Sequence, residues 1–248
     1  FSNPPPTRTL TVKINKIQAF PMAYPEPHYK GIERYITLVR IEGEDGQVGW
    51  GECISQFREA TLATKIIVEQ GLAPLLINEN ALDVERHWRR MLDHVWWYGP
   101  EGIAAFAVSA IDMALWDLAG KTLGQPVCRL LGGQLHDKVV AMASFIFDME
   151  NFDWTLGEFR WLKEQGYHMV KAGWGMRPEA VFGLDRDKDI DIVRQVRETI
   201  GDELELIVDT PGARNIWDLN TAIQRFRDLE PYRLRWIDFY QSGVLSWI

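Results

Sequence analysis

The stretch "HMVKAGW", residues 168–174, decides the fold. Met169, Val170 and Ala172 suit a buried strand, yet the run carries Lys171 and then gives way to small, flexible residues. A lysine there is either a snorkelling surface charge or a group aimed at something that needs a cation or a base. Upstream, "KVVAMASFI" (138–146) reads as a strand and 154–165 as a helix. Downstream come a helix over 187–200, the strand "ELELIVD" (203–209), a helix over 216–229 and the strand "LRWID" (234–238). Strands alternating with helices of this length mean a parallel sheet with right-handed crossovers. Sites in such sheets gather at the carboxyl ends of the strands. Lys171, Asp209 and Asp238 are the charged residues at or near the ends of three consecutive strands.

The residues before this alternation follow another pattern. Residues 9–22 and 34–41 read as strands, joined by "AYPEPHYKGIE", whose prolines and glycine predict a loop. Asp45-Gly46 is a hairpin signal, and 47–52 returns as a third strand. Helices are predicted over 60–70, over "NALDVERHWRRML" with Asn80 as its N-cap, and over 102–123 with Gly124 as its stop. The last carries a stripe of Ile103, Phe106, Ala107, Ala110, Ile111, Ala114, Leu115 and Leu118. Small residues dominate that stripe, so another element must pack close against it. Asp112 and Asp117 read as its polar face, and Lys121 as a partner of the helix dipole.

Composition narrows the function. The 248 residues carry a net charge of −8 with no basic block, which argues against nucleic acid or a polybasic membrane role. No apolar stretch is expected to approach the roughly 18 residues of a membrane span. The opening "FSNPPPTRTL" does not read as a signal peptide. Cys53 and Cys128 match no metal or redox spacing, and are expected to be reduced core residues of a cytoplasmic protein.

A cation beside two carboxylates on neighbouring strand ends suits metal-assisted proton abstraction. Adjacent strand-tip carboxylates can share Mg²⁺, which prefers oxygen ligands and keeps positions open for substrate oxygens. Taken singly, each charge reads more readily as a solvated strand end. All three at one edge of a sheet are harder to dismiss.

"AVSAIDMALWDLAGKTLGQPVCRLLGG", residues 107–133, closely resembles a signature of the mandelate racemase/muconate lactonizing enzyme family in the enolase superfamily. "GWGE" (49–52) resembles the end of that family's first hairpin. "VKAGWG" stands in place of its Lys-x-Lys strand, and "LIVDTPGA" and "RWID" in place of its metal-ligand strands. The resemblance implies an α+β capping domain, residues 1–133, followed by a TIM-type (β/α)7β barrel beginning at residue 134. It implies Mg²⁺ held by Asp209 and Asp238, and removal of the proton α to the carboxylate of a small acid. The cap loop would close over the substrate, with Tyr24, His28, Tyr29 and Lys30 in contact with it; a solvated loop without specific contacts is the plain alternative. A homo-oligomer is expected as well.

The departures from the family pattern shape the expected activity. Residues 171 and 173 face the same side of a strand. Lys171 matches the family's first lysine, but Gly173 replaces the second, which is usually the base. Without a cationic neighbour Lys171 should stay protonated, suiting electrostatic stabilisation or proton donation. Thr210-Pro211 stands where Ala-Asn is usual, and Asp238 where a glutamate is usual. Only four barrel strands can be placed before Ile248, so the expectation is the first half of a barrel, apparently truncated. The base, the third metal ligand and a His-Asp dyad would lie further on, and none of the five histidines fits the dyad. The expected activity is a Mg²⁺-dependent lyase dehydrating a sugar acid. Racemisation or epimerisation of a 2-hydroxy acid, and a catalytically silent module, are the alternatives.

Overall fold

The computed structural model describes residues 11–29, 31–173, 182–210 and 217–238. The chain divides into two compact units, Phe1–Asp137 and Lys138–Ile248.

In the first unit, β1 (Ile14–Glu26), β2 (Ile32–Gly43) and β3 (Val48–Ile54) form an antiparallel meander in that order. The Asp45-Gly46 signal is met: Gly46 has φ 82°, and the Gly43 N–H donates to the Gln47 carbonyl at 2.9 Å. The predicted loop over 24–32 is largely hairpin instead, because β1 continues through Pro25 to Glu26, with Tyr24 opposite Arg34. Proline is tolerated there since β1 pairs on one side only, so the missing N–H costs no ladder bond.

Helix α1 (Arg58–Ile66) runs through a π turn at Ile67–Leu72 into α2 (Ala73–Leu76). Helix α3 begins only at Val84 and ends at Val95. Asn80 is therefore not its N-cap; its side-chain oxygen accepts from the Val12 N–H at 3.1 Å and ties β1's approach to the helical layer. Helix α4 (Ile103–Leu123) ends as expected on left-handed Gly124 (φ 62°), and α5 (Val127–Leu130) follows.

The small-residue stripe of α4 lies directly on β3. A Cβ at Gly51 would overlap the Ala110 carbonyl and approach Ala114 N to 2.8 Å, and one at Gly49 would overlap the Ala114 carbonyl. Glycine thus lets strand backbone meet helix backbone. Ile111, Leu115 and Leu118 are fully buried around that contact, each contributing about 1.5–3 kcal/mol by burial. At 21 residues α4 is long and apolar enough to cross a membrane, which corrects the expectation that no stretch approaches such a span. Here its stripe from Ala107 to Leu118 belongs to the core of the unit with Phe106 packed against it, whereas Ile103, expected in the stripe, is exposed. Both cysteines are free; Cys53 is buried, but Cys128 is exposed and is not the core residue expected.

In the second unit, β4 (Met142–Ile146), β5 (Met169–Gly173), β6 (Glu205–Asp209) and β7 (Trp236–Asp238) form a parallel sheet in sequential order. They alternate with α6 (Phe152–Glu164), α7 (Arg186–Ile200) and α8 (Leu219–Leu229). Asn151, Asp185 and Asp218 cap the three helices by accepting backbone N–H bonds. Val170, Ala172, Leu206, Ile207 and Val208 make the strands apolar on both faces, as a sheet covered by helices requires. The first strand is shorter than the 138–146 predicted, because Val139 and Val140 lie outside it and are exposed. Register brings Gly173, Asp209 and Asp238 to the same level at the carboxyl end.

Candidate active site

That level is where the predicted charges meet. Lys171 reaches along β5 so that its Nζ lies 3.0 Å from Asp209 Oδ2 and in a still shorter contact with Asp238 Oδ2. The lysine side chain is 21% exposed, so the cluster is partly shielded from water and open enough to be reached. Burial alone would lower the Lys171 pKa. Its hydrogen bonds to Asp238 and Asp209 and their negative charge outweigh that effect and hold it above the ordinary lysine value. Lys171 is thus an ammonium, not a free base.

Two further residues, Gly173 and Thr210, fix this arrangement, and a third, Asp148, lies near the strand ends; sequence reading gave them no such part. Gly173 permits the close approach of β6: a Cβ there would overlap the Asp209 carbonyl and approach Asp209 N to 2.8 Å. A second lysine at 173 is therefore excluded by backbone, not merely replaced. Thr210 is buried, and its N–H and hydroxyl both donate to the Asp238 carbonyl, at 2.9 and 3.0 Å. It locks the tips of β6 and β7 together. Asp148, just past β4, is a further buried carboxylate near the strand ends; its Oδ1 accepts from the Glu150 and Asn151 N–H groups at 3.0 Å each, which shapes the turn into α6. An acidic residue two positions beyond an apolar strand was the only signal for it.

Asp189, in the first turn of α7, is also buried. It accepts from the Gly183 N–H at 2.9 Å, and the Gly183 carbonyl accepts from Trp217 Nε1 at 2.7 Å. Burial pushes the Asp189 carboxyl up to about 6, with the Gly183 hydrogen bond and Arg225 opposing. This network joins the segments leading into α7 and α8.

The cap residues belong to the first unit. Tyr24 is on β1, 40% exposed, with its hydroxyl 3.4 Å from Glu26 Oε2. His28 is exposed in the short 3-10 turn Pro27–Tyr29. The Tyr29 side chain and Lys30 lie outside what is described.

The donor set fits a hard divalent cation in kind. Asp209 and Asp238 stand in register on adjacent strands, and one oxygen of each converges on a single point, marked by Lys171 Nζ. Mg²⁺ commonly takes one or two protein carboxylates and completes its shell with water and substrate oxygens. Among the described residues no group of three or more His, Cys, Asp or Glu side chains forms a candidate metal cluster, so these two carboxylates are the ligands on offer.

Residues 22–132 match the N-terminal domain of mandelate racemase/muconate lactonizing enzymes, and 158–238 match the enolase C-terminal domain-like family. The chain belongs to the mandelate racemase/muconate lactonizing enzyme family. Among its relatives in this family is a D-galactarolactone cycloisomerase of Agrobacterium fabrum, 33% identical over 70% of this chain and 43% of that protein. Another is an L-rhamnonate dehydratase of Saccharopolyspora erythraea, 33% identical over 89% of this chain and 53% of that one. The crystal structure of a mandelate racemase/muconate lactonizing protein from Paracoccus denitrificans complexed with magnesium is 30% identical. It superposes with a TM-score of 0.79 over 94% of this chain and 60% of its own. This member of the family spans about half the length of the curated relatives it matches.

Proposed function

We propose that this protein serves as a Mg²⁺-dependent lyase that dehydrates a sugar acid in the cytoplasm. The observation that carries the reading is the convergence of Lys171, Asp209 and Asp238 beside a glycine that shuts out a second lysine. In this reading the four strands are the first half of a (β/α)7β barrel, residues 1–133 are its cap, and the assembly is a homo-oligomer. Asp209 and Asp238 hold the cation. Bound Mg²⁺ would polarise an oxygen of the substrate carboxylate and so acidify the neighbouring C–H. Lys171, fixed as an ammonium, neutralises and orients that carboxylate and can give a proton to the departing hydroxyl. Tyr24, His28, Tyr29 and Lys30 contact the sugar hydroxyls from the cap. The α-proton goes to a base other than Lys171.

Dehydration is favoured over racemisation because a racemase needs a base on each face of the α-carbon. At 173, the position expected to supply one of them, no side chain fits. The dehydratase among the relatives supports the same choice. The test is Mg²⁺ titration by calorimetry with Asp209→Asn as control, followed by a screen of sugar acids for loss of water. Saturable binding abolished in Asp209→Asn, with formation of a 2-keto-3-deoxy acid, is expected. A folded chain that binds no Mg²⁺ would leave a catalytically silent module.

A further inference from the structure

The strand-end cluster already contains a cation. Lys171 Nζ contacts Oδ2 of both Asp209 and Asp238, and it does so at the point where those two oxygens converge. The members of the cluster differ in how firmly they are held. The carboxylates sit on short side chains at adjacent strand tips, and Thr210 binds the Asp238 carbonyl twice. The ammonium rides on a flexible four-carbon stem and forms a compact point charge. It is the part that can leave.

Two carboxylates whose oxygens converge on one point repel each other unless a positive charge lies between them. Either an ammonium or a divalent cation meets that need, but both cannot take the same two oxygens. We propose that Lys171 is a built-in competitor for the divalent cation: it holds Asp209 and Asp238 in the metal-free protein and is released when the cation takes them. The released ammonium is then available to an anionic substrate, so cation and acid bind in that order. This rests on the reading that Asp209 and Asp238 are the cation's ligands.

The competition has a measurable consequence. When a site is open only part of the time, apparent affinity falls by the fraction open. A lysine that keeps the carboxylates paired about nine-tenths of the time weakens cation binding about tenfold. Calorimetric titration with Mg²⁺ alone, on the full chain, should therefore give about tenfold tighter binding in Lys171→Met and Lys171→Gln than in the unaltered protein. Removing a nearby positive charge would by itself tighten binding, so a second readout is needed. Reductive methylation followed by mass spectrometry should find Lys171 protected without Mg²⁺ and labelled with it, while Lys121 does not change. Mg²⁺ binding that is lost in Asp209→Asn, yet leaves Lys171 labelling unchanged, would overturn the competition and leave the metal reading standing. Absence of Mg²⁺ binding in the unaltered protein and in both Lys171 variants would overturn both.

Discussion

Lys121 and Lys171 are held by the same kind of partner and differ in what surrounds the pair. Lys121, on α4, donates to Asp117 Oδ2 at 2.6 Å and to the Val48 carbonyl at 2.8 Å. The same Asp117 oxygen accepts from the Trp50 N–H at 2.8 Å, so the pair clips α4 to β3. It is thus a helix-to-strand fastener, a larger part than the dipole partner that Lys121 was expected to be. Lys171 instead joins carboxylates from two different strands at their tips, and among the described residues it donates to no backbone group. In the first cluster each charge also satisfies a backbone group, which makes exchange costly. In the second, a cation of another kind can replace the lysine at little structural cost. The partners a charge has beyond its counter-ion separate a fastener from a site.

The sharpest way to test that distinction is to disturb the glycines that bring the elements together. Gly51→Ala forces a Cβ into the Ala110 carbonyl and should destabilise the first unit by about 4 kcal/mol, since neither backbone can yield cheaply. Urea unfolding monitored by circular dichroism would measure it, and a loss under about 1 kcal/mol would mean the helix slides freely over the strand. Gly173→Ala makes the same intrusion at Asp209. There it should also abolish Mg²⁺ binding, because the strand tip that must move carries the ligand.

Asp189 lies between the two types. Arg225 Nη1 stands 3.6 Å from its Oδ2, too far for a hydrogen bond, and neither atom has a hydrogen-bond partner among the described residues. Its folded value of about 6 lies above the ordinary 3.8. Between those values the folded chain keeps a proton that the unfolded chain has released. Stability from this group is therefore highest below the ordinary value and falls as pH rises towards 6, by about 3 kcal/mol in total. Asp185 and Lys188 also act on Asp189 electrostatically, in opposite directions. Asp189→Asn keeps an acceptor for Gly183 and removes the slope. The difference in unfolding free energy between the unaltered protein and Asp189→Asn should thus shrink or reverse from about pH 4 to about pH 7. A constant difference would show that Arg225 pairs with Asp189 fully.

Much of this was legible in the sequence. The alternation from 138 onwards specified a parallel sheet because buried strands and crossover helices have different periods, and Lys171, Asp209 and Asp238 met as their positions implied. The alanine stripe of α4 announced a close neighbour, which is β3. What sequence did not carry was pairing between distant segments. Asn80 looks like a helix cap until Val12 arrives to use its oxygen. Thr210 looks like the loss of a polar contact until β7 brings the Asp238 carbonyl to it. Gly173 reads as a missing lysine, when the approach of β6 leaves room for no side chain. Tyr24 fell inside a loop predicted from prolines, since nothing local reveals that β1 is an edge strand.

The smallest effects discriminate most finely between the two lysines. Asp117→Ala leaves the Trp50 N–H and Lys121 without their shared acceptor and should cost about 2 kcal/mol, with or without Mg²⁺. Lys171→Met removes a partly exposed ion pair and should cost only about 1 kcal/mol without Mg²⁺. Saturating Mg²⁺ should recover that loss, because a cation bound only to the folded state stabilises it by mass action and the variant binds it more tightly. Thermal unfolding of both variants with and without Mg²⁺ measures the contrast. If Mg²⁺ stabilised the two variants equally, the strand-tip cluster would be a second fastener, and the division between the lysines would fail.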